Sequence, residues 1–175
     1  SQDWGELGLD VAAHASGIAG SPLQIGSERF AKGLGHHANG AITVLLDGQY
    51  ESFEARVGVQ PCNSGSVVFR VLVDGQPRFD SGMFRSGDAP KPVHVSVAGA
   101  QELRLEVADA GDGITCDMAN WAEARLTPAA KASRPRPVAN VDMARFARVV
   151  TWNPGRMDGA RANRIEEFCA DDLFT

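Results

Sequence analysis

Two stretches of this chain gather side chains that can do chemistry. Lys32-Gly-Leu-Gly-His-His-Ala-Asn39 places two imidazoles and an amide within four residues, and Asp109-Ala-Gly-Asp-Gly-Ile-Thr-Cys-Asp-Met-Ala-Asn-Trp121 carries three carboxylates, an amide and an indole. Gly35 to Gly40 has the glycine spacing of a phosphate-binding loop, but Ala41 stands where the lysine must be, and a strand pattern follows instead of a helix. The second stretch is not an EF-hand: glycines occupy 111 and 113 where oxygen ligands are needed, and Asn120 replaces the closing glutamate. Zinc is disfavoured at His36 and His37, because adjacent residues of an extended chain point to opposite faces; His14 and His94 lie far away in sequence. There is no Gly-x-Ser-x-Gly elbow for a serine hydrolase. A glycoside hydrolase needs two carboxylates ~5–10 Å apart, which Asp109, Asp112 and Asp117 can supply, although turn-forming Asp in a Gly-rich loop explains them more plainly.

The elements that must position these stretches are strands. From residue 42 to 126 apolar and polar residues alternate: Ile42–Leu46, Tyr50–Val59, Ser66–Val73, Pro77–Asp80, Val93–Val97, Leu103–Val107 and Trp121–Leu126. Asp74-Gly75 reads as a hairpin turn. The expectation is an all-β, antiparallel β-sandwich. Before residue 42 the chain reads as one or two edge strands plus loop. At Thr127 the texture changes to an Ala/Pro/Arg/Lys-rich connector. Beyond it, Val141–Trp152 has no clear period and Gly159–Phe168 reads as a short helix. The division is a module over 1–126 and an extension over 127–175, which packs on the module or leads to a further domain.

Composition bounds the function. The 175 residues carry a net charge of −5, with nine basic against sixteen acidic side chains in 1–126. That balance argues against a nucleic-acid partner, which needs a basic face. No uncharged apolar run approaches the ~18–20 residues that cross a bilayer, so membrane insertion is not expected. The first residues do not read as a secretory leader, which a mature or excised fragment would already have lost. Of the three cysteines, Cys62 and Cys116 fall in inter-strand loops and can pair in an extracellular setting, leaving Cys169 free; cysteine usage alone leaves the compartment open.

Several motifs occur together in a known order. Gly33-Leu-Gly-His-His-Ala-Asn39, the Leu46-Asp-Gly-Gln-Tyr50 turn with Phe53 after it, Val71-Leu-Val-Asp-Gly75 and Gly111-Asp-Gly-Ile-Thr-Cys-Asp-Met-Ala-Asn-Trp-Ala-Glu-Ala124 resemble the "novel putative carbohydrate-binding module" family, carbohydrate-binding module family 51. The resemblance covers about residues 4–126. It implies a galactose-binding-like jelly roll, a non-catalytic appendage of a secreted, extracellular bacterial glycoside hydrolase, and galactose-containing glycans as ligands. Where the family pattern has Asp-His-Ala-Asp-Trp-Ala-Asp, this chain has Asp117-Met-Ala-Asn-Trp-Ala-Glu123, so the resemblance leaves sugar preference open at Met118 and Asn120.

A pyranose offers an apolar face and a ring of hydroxyls, so its site needs an aromatic platform and convergent donors and acceptors. His37, Asn39, Asp117, Asn120 and Trp121 supply that chemistry, and Arg85, in the Gly82–Gly87 loop, is a further candidate. The competing reading has His37 and Asn39 bonded to strand-end backbone and Trp121 filling the core. Galactose-binding-like domains often hold a structural calcium through a carboxylate on the last strand, which makes Glu123 the metal candidate. Two other functions stay open at this stage: a structural or protein-interaction sandwich without sugar binding, and a hydrolase using Asp109, Asp112 and Asp117. Oligomeric state is not encoded in these patterns.

Overall fold

A computed structural model describes residues 1–130, together with the two-residue strands at 148–149 and 166–167. The strands in chain order are β1 (Gly8–Leu9), β2 (Leu23–Ile25), β3 (Glu28–Phe30), β4 (Gly33–His37), β5 (Gly40–Leu45), β6 (Tyr50–Val59), β7 (Ser66–Val73), β8 (Gln76–Arg85), β9 (Lys91–Ser96), β10 (Glu102–Asp109), β11 (Met118–Pro128), β12 (Arg148–Val149) and β13 (Glu166–Glu167). One sheet has the order β1-β4-β11-β6-β9 and the facing sheet β5-β10-β7-β8, all pairings antiparallel. This is the expected sandwich. The connector and most of the C-terminal expectations lie outside the described residues; of the stretch read as a short helix, Glu166–Glu167 pair as strand with β12.

Alternation along the strands makes the core. Phe53, Ala55, Val57 and Val59 on β6 face Val67, Phe69, Val71 and Val73 on β7 and Leu103, Leu105 and Val107 on β10. A residue every second position turns inward because strand side chains alternate faces. Asp74 and Gly75 both adopt positive φ, 49° and 74°, as a tight hairpin turn demands. The Asp74 carboxylate also accepts the amides of Gln101 and Glu102 at 2.9 and 2.8 Å, tying two neighbouring turns together.

The segment before residue 42 is richer than expected. Gly33–His37, read from sequence as loop, is a strand between β1 and β11. Its composition misleads because the glycines answer to contact rather than to turning. A Cβ at Gly35 would stand 2.2 Å from the Val11 carbonyl oxygen, and one at Gly33 2.5 Å from that of Trp121. The β2–β3 hairpin covers the outer face of the five-stranded sheet, burying Leu23, Ile25 and Phe30 against Ala122. Gly58 permits this, since a Cβ there would meet the Ile25 side chain at 2.1 Å.

Strand direction sorts the loops onto two ends. The β4–β5 turn, the β6–β7 loop, the β8–β9 loop and the β10–β11 loop share one end, and the N-terminal residues join them through Gln2 paired with Gly40. β11 starts at this end, and after it Ala129 donates to Gln49 in the β5–β6 turn at the other.

Candidate functional site

His37 is the last residue of β4 and sits opposite Met118 in the register with β11. The N-terminal segment folds back over it. The His37 amide donates to Gln2 Oε1 at 3.1 Å, and Asn39 Nδ2 donates to Asp3 Oδ2 at 3.4 Å. These bonds hold Trp4 against the imidazole, with ring centroids 5.2 Å apart and planes tilted by 47°. Trp4 is nevertheless 43% exposed, a large apolar surface left to solvent. Beside it opens a cavity of about 320 Å³ lined by Trp4, His37, Ile114, Thr115, Cys116 and Met118.

The wall opposite Trp4 is the β10–β11 loop. A Cys62–Cys116 disulfide ties it to the β6–β7 loop, a pairing the sequence allowed but left open. Beneath the wall, Asp117 is fully buried: Oδ1 accepts the Ser66 amide at 3.0 Å, while Oδ2 is buried without a hydrogen-bond partner among the described residues. Burial, and then the neighbouring Asp112 and Asp109 carboxylates, push its pKa up to about 6, against the lowering effect of the Ser66 bond. Asp112 accepts the Ser66 hydroxyl at 2.8 Å. Each of these two aspartates thus braces the β7 end.

Burial lowers the His37 pKa, overcoming the opposing Ala38 hydrogen bond and Asp3 charge, so the ring is neutral at pH 7. Its Nδ1 lies 2.5 Å from the Ala38 carbonyl oxygen. A carbonyl only accepts, so Nδ1 carries the proton and Nε2 is left as an acceptor. His36 points to the other face, as the alternation required, and burial holds its pKa down to about 3.

The remaining candidates scatter. Asn39 is at the same end but bridges backbone, its Oδ1 accepting the Asp109 amide at 2.8 Å. Arg85 ends β8 at this end, exposed, yet does not line the cavity. Two expectations are corrected. Trp121 is fully buried between the sheets, edge-on to Phe69 at 5.1 Å, because its position on β11 faces inward with Ala119; it offers no face to a ligand. Asn120 is fully buried under the β2–β3 hairpin, where Nδ2 donates to the Gln24 carbonyl at 2.8 Å and to Gln60 Oε1 at 2.6 Å. It staples the hairpin to the sheet, and so does not meet a ligand at the cavity. Trp4, Ile114 and Thr115 were missed. Trp4 alone carried a signal, an indole in a polar, Gly-containing stretch with no strand alternation to bury it.

Glu123 lies in a bulge of β11, with φ of 52°, its amide donating to the Lys32 carbonyl at 2.9 Å and its side chain exposed. Among the described residues no three His, Cys, Asp or Glu side chains group as a metal site. A calcium ion at the bulge would rest on the Glu123 carboxylate and main-chain carbonyls such as that of Lys32. That set is hard oxygen throughout and fits calcium in kind.

Residues 1–127 match the NPCBM/NEW2 domain model. The chain belongs to the NPCBM/NEW2 family. A "Putative endo-alpha-N-acetylgalactosaminidase" of Renibacterium salmoninarum is 32% identical over 130 residues, 72% of this chain but only 8% of that protein. The CBM51 module of Clostridium perfringens GH95, solved with methyl-galactose, superposes with a TM-score of 0.66 at 32% identity, covering 73% of this chain and 91% of that one. CBM51-2 of Clostridium perfringens ZmpB, solved with GlcNAc and its INT domains, gives 0.67 at 28% identity, covering 74% and 29%. This NPCBM/NEW2 domain is accordingly a non-catalytic carbohydrate-binding module of the kind attached to glycoside hydrolases, and the Asp112 and Asp117 carboxylates are hydrogen-bonded to Ser66.

Proposed function

We propose that the cavity beside Trp4 binds the terminal sugar of a galactose-containing glycan and so holds a secreted glycoside hydrolase on its substrate. The observation that carries this reading is the exposed Trp4 ring fixed against a neutral His37 at the mouth of a cavity of about 320 Å³. The indole offers the apolar face on which the C–H side of a pyranose stacks, and His37 Nε2 accepts from a hydroxyl. Similarity to a module solved with methyl-galactose supports the sugar class. The Cys62–Cys116 bond supports an oxidising compartment, and hence an extracellular one. Calcium belongs to the same reading: Glu123 and the Lys32 carbonyl would hold an ion that braces the fold away from the sugar.

A shallow site for one or two sugar rings gives weak monovalent binding, with Kd on the order of 10 µM to 1 mM. Titration calorimetry with a methyl galactoside tests this. Trp4→Ala should abolish the heat of binding, a loss of about tenfold or more in affinity, while the melting temperature hardly moves. Undiminished binding by that variant would place the site elsewhere.

A further inference from the structure

We infer that the cavity selects a galactose-configured sugar bearing a 2-acetamido group over the plain galactoside. The inference rests on the reading of the cavity as the glycan site and names the ligand class within it. Three of the six lining residues, Ile114, Cys116 and Met118, have side chains of carbon and sulfur only, and a fourth, Trp4, adds an aromatic ring with a single indole N–H. The Cys116 sulfur is committed to Cys62 and has no proton to donate. Among the described lining residues, Thr115 and His37 are the ones whose side chains hold a hydrogen-bond acceptor. A sugar that turned a hydroxyl onto the Met118–Ile114 wall would leave it dry and unpaired.

An acetamido group suits that wall. Its methyl can bury against Met118 and Ile114, its N–H has an acceptor in His37 Nε2, and its carbonyl has a donor in the Thr115 hydroxyl. One buried methyl-sized group is worth about fourfold in affinity. Met118 is the residue that decides the character of the wall: it stands directly across from His37 in the β4–β11 register, where a polar side chain would convert the wall to one that pairs a hydroxyl. The relative solved with GlcNAc shows that this fold can accept an acetamido sugar.

The test is competitive titration of the full chain with methyl galactoside, galactosamine, N-acetylgalactosamine and N-acetylglucosamine. N-acetylgalactosamine should bind at least about fourfold tighter than the galactoside. Galactosamine, which has the nitrogen without the acetyl, should show no such gain, and N-acetylglucosamine should bind more weakly than N-acetylgalactosamine. Met118→His should bring the ratio of N-acetylgalactosamine to galactoside affinity towards one. A melting curve establishes that the variant is folded; should it not fold, Ile114→Ser probes the same wall from its other side. Equal or tighter binding of the galactoside, galactosamine matching the acetylated sugar, or an unchanged ratio in a folded variant would each overturn the inference and leave the galactoside reading standing, whereas N-acetylglucosamine matching N-acetylgalactosamine would overturn the galactose configuration in both. Binding of none of the four would overturn both.

Discussion

Asp117 shows how much of the site's residue chemistry is spent on holding loops. Its carboxylate is buried, half satisfied by Ser66, and near two other carboxylates, so it holds a proton up to about pH 6, well above the ordinary 3.8. The folded state therefore binds a proton that the unfolded chain releases. The stability tied to that proton is fully present below about pH 4 and is lost as pH rises through 6. Thermal melts between pH 4 and 7 should show wild type losing stability relative to Asp117→Asn across this window, because the amide has no charge to desolvate. Parallel curves would mean that the carboxylate is ionised throughout. From sequence, Asp117 was a ligand candidate and Asn39 either a ligand or a brace for strand-end backbone; in the structure both side chains accept a backbone amide. Residue type suggests a role, but facing decides it. Met118 and Trp121 lie three apart on one strand and so face opposite ways, one to the cavity and one to the core. Odd and even positions are assigned by the register with β4 and β6, which local sequence does not carry.

At the scale of elements, the β10–β11 loop is long, Gly-rich and pinned. The Cys62–Cys116 bond closes a span of 54 residues, and in the chain-entropy account such a closure removes about 4 kcal/mol of unfolded-state freedom. Replacing both cysteines by serine should lower the melting temperature by on the order of ten degrees and also weaken sugar binding, since Cys116 is part of the cavity wall. An unchanged melting temperature would show that the Ser66 bonds to Asp112 and Asp117 suffice. Strands β5 to β7 and β9 to β11 were readable because alternating Val, Ile, Leu and Phe marked them and Asp-Gly turns punctuated them. β8 was read only over Pro77–Asp80; residues 82–85, read as loop, continue it because this mostly exposed edge strand carries no apolar alternation. β4 was not readable, because Gly33 and Gly35 suit a loop equally well. What demands them is backbone from residues 11–13 and 121–122 crossing closely over them, a contact between distant parts of the chain.

For the molecule as a whole, an ion bound only by the folded state stabilises it by RT ln(1 + [Ca]/Kd). If calcium occupies the Glu123 bulge at about 100 times its Kd, that amounts to about 2.7 kcal/mol. Chelation should then lower the melting temperature by about ten degrees, added calcium should restore it, and Glu123→Gln should blunt both effects. A melting temperature indifferent to chelator, with no calcium found by elemental analysis, would remove the metal and leave the sugar site untouched.

β11 begins beside the cavity and runs its eleven residues to the opposite end of the sandwich. At about 3.3 Å per residue, Pro128 lies some 35 Å from the proposed sugar site. A chain joined ahead of Gln2 would begin at the mouth of that site, whereas the chain leaving through Pro128 begins at the far end of the sandwich and, at Arg148–Val149, comes back against β5.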